Sequence, residues 1–513
     1  MLCVVLTHAE LQSVEVGGKL EIYGHWYTGL AESAGTSERI PSFFLPLRPI
    51  GPYNTASWLQ AGDGGNNEGH VEQRTRLHVA AEFTNDVSAF FEINQVDVWG
   101  DDFRSDYRTG IDSRATSADD LEVNQAYVSV DNVLGLPARL RIGRQAMEFG
   151  SGWLVASDIS PAPFLDTTYD AIRLTVAIES LRVDAWISEL AESGAAEENG
   201  DVDFYGVYAT WLPGSGANHE SANLEFDVYY LFLRDARSLN DTNFAAPIER
   251  LENFVGLDDY GATELHVAGA RGAGVWNQFD WEIEAAYQWG VADAVGFLFK
   301  PAGQLYGDDD ARRNTWGGHA EAGWTTRLPW RIRFFAGGAY YGGEDNRGIS
   351  FRDWVNPFDR SEASISFNRL FTSWHEDAFI EGTSMSNFWK AYLGANAYPS
   401  DNVEMGLNAT YYEILEPFDS PVSVSLGGWK VPVAPALSFW TTEGSTELGW
   451  QVSLWAVYAY SEDLSFEVGW SHWFTGDAIG EGAAFIDENG LRNVGGRDDE
   501  DQEYFYFLTT IEF

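Results

Sequence analysis

Eight arginines fall on the polar phase of segments in which polar and apolar residues alternate. A guanidinium is permanently charged and pairs with carboxylates and other anions in a fixed planar geometry. Carboxylates share this phase, so two compatible interpretations are open: salt bridges that stiffen a wall, or a charged constriction that selects solutes. The arginines are Arg74, Arg76, Arg139, Arg141, Arg173, Arg182, Arg331 and Arg333, and the carboxylates are Glu72, Glu92, Glu122, Asp184, Glu282, Glu284 and Glu404.

Acidic clusters in the long connecting segments are candidate calcium ligands, because calcium prefers carboxylate oxygens. None has the twelve-residue spacing of an EF-hand loop, so a solvated acidic surface is the alternative interpretation. The single cysteine, Cys3, excludes an intramolecular disulfide and a zinc cluster built from thiolates. We predict no cofactor apart from calcium in these segments. The clusters are Asp308, Asp309 and Asp310, and Asp498, Asp499, Glu500 and Asp501.

Histidines offer the main alternative chemistry, an enzyme site in the wall. His25 and His78 fall on adjacent predicted strands, where Glu21 and Glu72 would accompany them. Lone histidines beside carboxylates are more often structural, so we predict no enzyme. A wall that encloses an electron carrier is a further alternative; since the chain has no CxxCH haem-attachment motif, that carrier would be another protein.

Charge and hydropathy restrict the class of protein. The net charge of −47 argues against nucleic acid or anionic lipid as a partner, because both need a positive face. The long connecting segments hold the larger part of this negative charge. No segment approaches the roughly 18 consecutive apolar residues of a membrane-spanning helix.

Strand periodicity runs through the whole chain. Period-two alternation recurs in about eighteen segments, and tight turns alternate with long connections, the longest near 343–385. In the seventeenth segment Leu464, Phe466 and Val468 alternate with Ser465 and Glu467. Strands of this length in even number, with short turns at one end and long loops at the other, predict an antiparallel up-and-down outer-membrane β-barrel. Charged side chains should then face the lumen, since one on the lipid face costs about 2–4 kcal/mol at the midplane.

The domain organisation follows from this uniformity. Residues 1–15 are interpreted as an N-terminal tail or the remnant of a signal peptide, and residues 16–513 as one barrel domain. The last segment ends at Phe513 and carries Phe505 and Phe507 on the same phase. This resembles the C-terminal signature that the barrel-assembly machinery of bacteria recognises.

The segment from Arg141 to Leu174 carries the most specific pattern. An arginine strand is followed by a glycine-containing loop and then by a Tyr-Asp-Ala-Ile-Arg-Leu sequence. This pattern resembles the alginate-export family of outer-membrane porins, and so does the earlier segment with Arg74 and Arg76. The residues of the pattern are Arg141, Gly143, Arg144, Gln145, Gly150, Gly152, Trp153, Leu154, Tyr169, Asp170, Ala171, Ile172, Arg173 and Leu174.

The resemblance implies a monomeric channel that passes anionic polysaccharide or small polar solutes through an arginine-lined lumen. Its pore-lining role is carried onto Arg74, Arg76, Arg141, Arg144 and Arg173, and Asp170 lies within the same pattern. Trp153 stands where relatives often have a basic residue. A polyuronate would also have to pass acidic loops, an electrostatic cost that calcium would reduce.

We therefore predict a porin of this type in the bacterial outer membrane, in contact with lipid. The alternative is a structural or adhesive barrel with acidic, calcium-binding loops. The glycines of the third long loop, with Pro161 and Pro163, suit a segment that folds inward over the lumen, although an outward fold is the competing interpretation.

Overall fold

The computed structural model describes these parts of the chain: 10–30, 49–50, 66–99, 121–157, 164, 167–192, 201–213, 224–236, 262–297, 305–343, 366–374, 386–416, 419–421, 423–426, 429–432, 441–443, 445–480, 484–487, 490–494 and 501–513. Among the described residues, no helix combines the length and the apolar character needed to cross a membrane. The candidate calcium ligands Asp498, Asp499 and Glu500 lie outside the described residues.

Eighteen long strands form one antiparallel sheet that closes on itself. Each strand pairs with its neighbours in the chain, and the last strand pairs with the first from Lys19 opposite Glu512 to Thr28 opposite Glu503. The strands are β1 Leu11–Leu30, β2 Asn66–Phe83, β3 Val87–Val98, β4 Glu122–Val130, β5 Ala138–Gln145, β6 Tyr169–Ile178, β7 Leu181–Ala191, β8 Val202–Trp211, β9 Leu224–Asp235, β10 Thr263–Trp276, β11 Phe279–Phe297, β12 Leu305–Thr325, β13 Arg333–Tyr341, β14 Phe388–Ser400, β15 Val403–Ile414, β16 Glu447–Ala459, β17 Leu464–Thr475 and β18 Gln502–Glu512.

The predicted barrel is confirmed, because closure gives every strand two partners and so leaves no sheet edge in hydrocarbon. Some strands are longer than predicted. β11 and β12 form an extended hairpin, in which Asp308, Asp309 and Asp310 belong to β12 rather than to a loop. Short strands lie outside the ring of eighteen at Pro49–Ile50, Asp419–Pro421, Ser423–Leu426, Trp429–Pro432, Thr441–Glu443, Ala484–Asp487 and Gly490–Val494.

Side chains alternate between the two faces of the wall as the pattern predicts. On β17, Phe466 and Val468 are exposed on the outside, whereas Ser471 and Trp473 are buried inside. Tyr287 and Trp316 are also exposed on the outer face. In a bilayer these outward side chains contact lipid, so their exposure to solvent in the isolated chain is the expected state of a membrane barrel.

The main hydrophobic core lies inside the barrel, in its extracellular half. Leu231, Leu265 and Val267 face inward and belong to the same buried cluster as Trp153 and Phe367, which come from connections that enter the lumen. Apolar residues therefore occupy the inner as well as the outer face of β9 and β10. Their partners in the lumen explain this, since each buried side chain is removed from water.

Candidate functional site in the barrel lumen

Two loop segments fold into the lumen and contact each other. We call residues 146–157 the first lumenal segment and residues 366–374 the second. Phe371 N donates to Leu154 O (3.0 Å) and Ala156 N donates to Phe371 O (2.8 Å), around a parallel bridge between Val155 and Phe371. The third long loop thus folds inward, and the longest connection of the chain joins it there.

Aromatic packing holds the first lumenal segment against the wall. Trp153 is fully buried, stacks on Phe367 at 5.6 Å between ring centroids, and donates from Nε1 to Tyr341 Oη (2.9 Å). On another part of the wall, Phe149 stacks on Trp186 at 4.7 Å. The segment therefore contacts both β7 and β13.

Arg141 and Arg173 are brought together on the inner face. They are directly opposed in the antiparallel pair of β5 and β6. Arg173 donates from Nη2 to the buried Asp184 (2.8 Å) and lies over the Phe149 ring. Arg141 donates to Ser129 Oγ (3.1 Å) and lies 4.1 Å from the centroid of an aromatic ring, that of Tyr127.

Arg74 and Arg76 form a second group of cations on β2. Arg74 is buried and donates from Nε to Glu21 Oε2 (2.7 Å), while Arg76 Nη2 lies 3.5 Å from the same oxygen. The guanidinium of Arg74 also lies 4.9 Å from the centroid of the Phe164 ring. Since Phe164 belongs to the third long loop, that loop contacts the arginines of both β2 and β6.

The other predicted lumenal residues occupy separate positions. Arg333 pairs with Asp280 (3.0 Å) and Glu321 (2.6 Å) on the inner face of β11 to β13. Arg139 pairs with Asp131 (2.6 Å) beside the β4–β5 turn. Two carboxylates of the predicted pore lining accept hydrogen bonds from neighbouring side chains: Glu72 from His70 (2.7 Å) and Glu92 from Asn124 (2.8 Å). Arg331 lies in the turn before β13, over the Tyr398 ring.

Arg144 and Asp170 require a correction. They are paired across β5 and β6 at 2.8 Å, and both are about half exposed. Their neighbours Gln145 and Tyr169 are buried inside, and alternation then places Arg144 and Asp170 on the outer phase, near the extracellular rim. Their assignment to the pore lining was wrong, because the family pattern gives the residue types but does not say which of them face the lumen.

The pattern missed several inward-facing residues. Arg271 on β10 donates to Glu225 (2.7 Å), Asp227 (2.8 Å) and Glu282 (3.1 Å). Arg369 of the second lumenal segment is fully buried and donates to Trp374 O (2.8 Å). Arg271 shares its phase with apolar Leu265 and Val267, so alternation alone favoured the wrong face. For Arg369 no periodic signal exists, because it lies in a loop.

Two groups of histidines and carboxylates have ligand atoms close enough to share a metal ion. In one group, His25 Nε2 lies 3.1 Å from a ring nitrogen of His70, whose Nε2 is 2.7 Å from Glu72. His25 therefore meets His70 rather than His78, whose ring stacks on Phe90. The second group is Glu282, Glu284 and His319.

The chain is similar to known proteins in its family pattern and in its fold. A family model described as Alginate export matches residues 45–488. No curated protein matches significantly. Solved structures with a similar fold include Pseudomonas aeruginosa OccK11 (OpdR), at 8% identity and a TM-score of 0.46, covering 97% of this chain and 96% of that one.

Two further structures are similar. Pseudomonas aeruginosa OccK8 (OprE) has 10% identity, a TM-score of 0.47, and coverage of 97% of this chain and 98% of that one. An anion-selective porin from Comamonas acidovorans has 10% identity, a TM-score of 0.40, and coverage of 98% and 99%. The family match includes every strand from β2 to β17. The chain belongs to the alginate-export family and is a channel protein of the bacterial outer membrane.

Proposed function

We propose that the channel passes anionic polysaccharide or small polar anions passively, along the arginines of β2, β5 and β6. The observation that carries this proposal is Arg141. It faces the lumen and forms no salt bridge with any residue that the structure describes; its partners are Ser129 and Tyr127. A solute carboxylate that reaches Arg141 gains a charge-assisted hydrogen bond without displacing a carboxylate of the protein.

The distribution of the other charges supports an oriented electric field. Arg74, Arg76, Arg141 and Arg173 lie on β2 to β6. Six lumenal carboxylates lie on β9 to β12, and β11 is nine strands from β2 around the closed ring of eighteen. The arginine side also carries Glu21, Glu72, Glu92 and Asp184, whereas the six carboxylates of the other side share Arg271 and Arg333. The side of β9 to β12 is therefore the more negative one, and an anion is favoured on the side of β2 to β6. The carboxylates are Glu225, Asp227, Asp280, Glu282, Glu284 and Glu321.

The lumenal segments narrow the path in this proposal. Phe149 and Phe164 contact the guanidinium groups of Arg173 and Arg74, so the third long loop directs a solute toward the arginines. Calcium has a part as well. Calcium bound to the acidic loops or to Asp308–Asp310 would reduce the electrostatic repulsion between a polyuronate and the acidic extracellular surface of the barrel.

Planar-bilayer recording tests the channel and its selectivity together. We expect stepwise currents whose reversal potential in a KCl gradient shows a preference for chloride, and block of these currents by an oligouronate. Arg141→Ala should shift the reversal potential toward cations and weaken the block. Arg144→Ala is the matched control, because it removes the same charge from the outer face.

Two outcomes would contradict the proposal. If Arg141→Ala and Arg144→Ala had equal effects on selectivity and block, Arg141 would not contact the permeating solute. A barrel that conducts in neither salt nor calcium would instead favour a structural or adhesive role. We extend the proposal to a monomeric barrel whose last strand is recognised by the assembly machinery through Phe513; mass measurement in detergent tests the oligomeric state.

A further inference from the structure

We infer that Glu282, Glu284 and His319 form a binding site for a divalent transition metal, with zinc as the best fit, beneath the lumenal segments. Their ligand atoms all lie within 4.8 Å of one another. The three residues come from the adjacent strands β11 and β12, where Glu284 and His319 are directly opposed. This inference is independent of which solute the channel passes.

Unpartnered buried atoms point toward the position of the ion. Glu284 and His319 are each 4% exposed. Among the residues that the structure describes, Glu282 Oε1, Glu284 Oε2 and His319 Nε2 have no hydrogen-bond partner. Buried polar atoms are normally satisfied, and leaving one unsatisfied is costly. A metal ion that accepts a lone pair from each atom would satisfy all three.

The surrounding charge also favours a cation. Arg271 is shared by Glu225, Asp227 and Glu282, and Glu284 receives a hydrogen bond from the neutral Tyr229 (2.7 Å). Among the described residues, three of these carboxylates therefore share the guanidinium of Arg271, and the fourth, Glu284, is hydrogen-bonded to an uncharged group. Buried negative charge needs a positive charge nearby, and a divalent ion would supply most of the positive charge that these carboxylates lack.

Distances and donor types select the metal. His319 Nε2 is 3.5 Å from Glu284 Oε2 and 3.8 Å from Glu282 Oε1. Tetrahedral zinc, with bonds of about 2.0–2.2 Å, holds its ligands roughly 3.4 Å apart. Calcium and magnesium take oxygen ligands and prefer more of them, so the imidazole disfavours both.

The site has both a cover and an entrance. The His319 ring lies 4.0 Å from the Trp374 ring and 5.2 Å from the Trp153 ring, so both lumenal segments lie over it. Glu282 also lines a cavity of about 360 Å³, together with Glu225 and Glu321, through which an ion can enter. By fixing His319, a bound metal would stabilise the packing of both segments.

Metal analysis of the full-length barrel tests the inference. The barrel is folded in detergent, treated with a chelator, incubated with zinc, desalted and analysed by elemental mass spectrometry. We expect one tightly held zinc per chain, an increase in Tm with zinc but not with calcium or magnesium, and loss of both effects in Glu284→Gln. His266→Gln, on the outer face, is the matched control and should retain the zinc.

Zinc-edge X-ray absorption on the unmodified barrel gives a result even if Glu284→Gln does not fold. One imidazole among oxygen ligands supports the site. Two imidazoles would assign the zinc to His25 and His70 and would overturn the inference. Retention of zinc in Glu284→Gln together with its loss in His70→Gln would overturn it in the same way. A barrel that retains no zinc overturns it as well.

Discussion

Arg141 and Arg173 face each other across β5 and β6, yet among the described residues it is Arg173 that reaches a carboxylate, Asp184. Asp184 is fully buried and also accepts from Arg182 (3.2 Å). In the part of the chain that the structure describes, the wall therefore places an arginine paired with a carboxylate beside one that forms no salt bridge. This difference gives the two residues separate expected phenotypes.

Asp184→Asn should expose the charge of Arg173. Because breaking a buried ion pair by removing one partner costs about 3–5 kcal/mol, we expect a less stable barrel. Conductance should become more selective for anions, because a negative charge leaves the arginine group. Reversal potentials and urea unfolding measure the two effects. Asp170→Asn, in the pair on the outer face, should leave selectivity unchanged, and a change of equal size there would contradict the assignment.

Trp153→Ala should loosen the lumenal segments. Trp153 is fully buried and bonded to Tyr341, and a Trp→Ala change in a packed core costs about 3–5 kcal/mol. We expect larger and noisier single-channel currents, because Phe367 of the second lumenal segment loses the ring on which it stacks. Trp276→Ala, in the exposed β10–β11 turn region, is the control. Unchanged conductance in Trp153→Ala would mean that these segments do not limit the path.

Gly143→Ala should strain the arginine strand. Gly143 has φ +125°, and an added Cβ would lie 2.9 Å from Tyr127 Cα and closer still to Ala126 O. Side chains rarely adopt this backbone region, at a cost of about 1–3 kcal/mol. Gly135 has φ +74° with open space around it, so Gly135→Ala separates backbone strain from collision. We expect the free energy of unfolding to fall more in Gly143→Ala than in Gly135→Ala. Equal decreases would mean that the contact of the added Cβ with Ala126 and Tyr127 contributes nothing.

The outer face can be tested by introducing charge. Leu454 is exposed on β16 and its neighbour Ser453 faces inward, where it bonds to Ser471 (2.8 Å). Leu454→Lys should destabilise the barrel in lipid vesicles by about 2–4 kcal/mol if the position lies near the midplane. Ser453→Lys should cost less, because its charge reaches the lumen. If Ser453→Lys destabilised the barrel more than Leu454→Lys, Ser453 rather than Leu454 would face the lipid.

Removal of Phe513 tests the end of the chain. Its backbone N donates to Gly18 O (3.0 Å) and its carbonyl accepts from Gly18 N (2.8 Å), so the last residue joins β18 to β1. We expect slower assembly into the outer membrane, measured as the appearance of heat-modifiable barrel. Conservative Phe513→Tyr should keep both backbone bonds and most of the aromatic surface. Normal assembly of the truncated chain would contradict a role in recognition.

The strands and their outer faces were predictable from the sequence. In lipid a sheet must close, and a closed sheet of eighteen strands imposes period two on every segment that contacts hydrocarbon. The phase of β17 and the terminal Phe505, Phe507 and Phe513 follow from this constraint. So does the inward orientation of Arg141 and Arg173, because each lies among apolar residues of the opposite phase.

The contents of the lumen were decided by the tertiary structure. Period two identifies the lumenal face only where that face is polar. On β9 and β10 part of the inner face is apolar, because Leu231 and Leu265 belong to the buried cluster that includes the inserted segments. The contacts of Trp153 with Phe367 and of Arg271 with Asp227 join residues far apart in the chain, which no local pattern records. The sequence by itself determined a barrel with arginines in its wall. The fold decided which arginines are neutralised, which pair lies outside, and which histidine meets two carboxylates, because these depend on packing between segments rather than on their own periodicity.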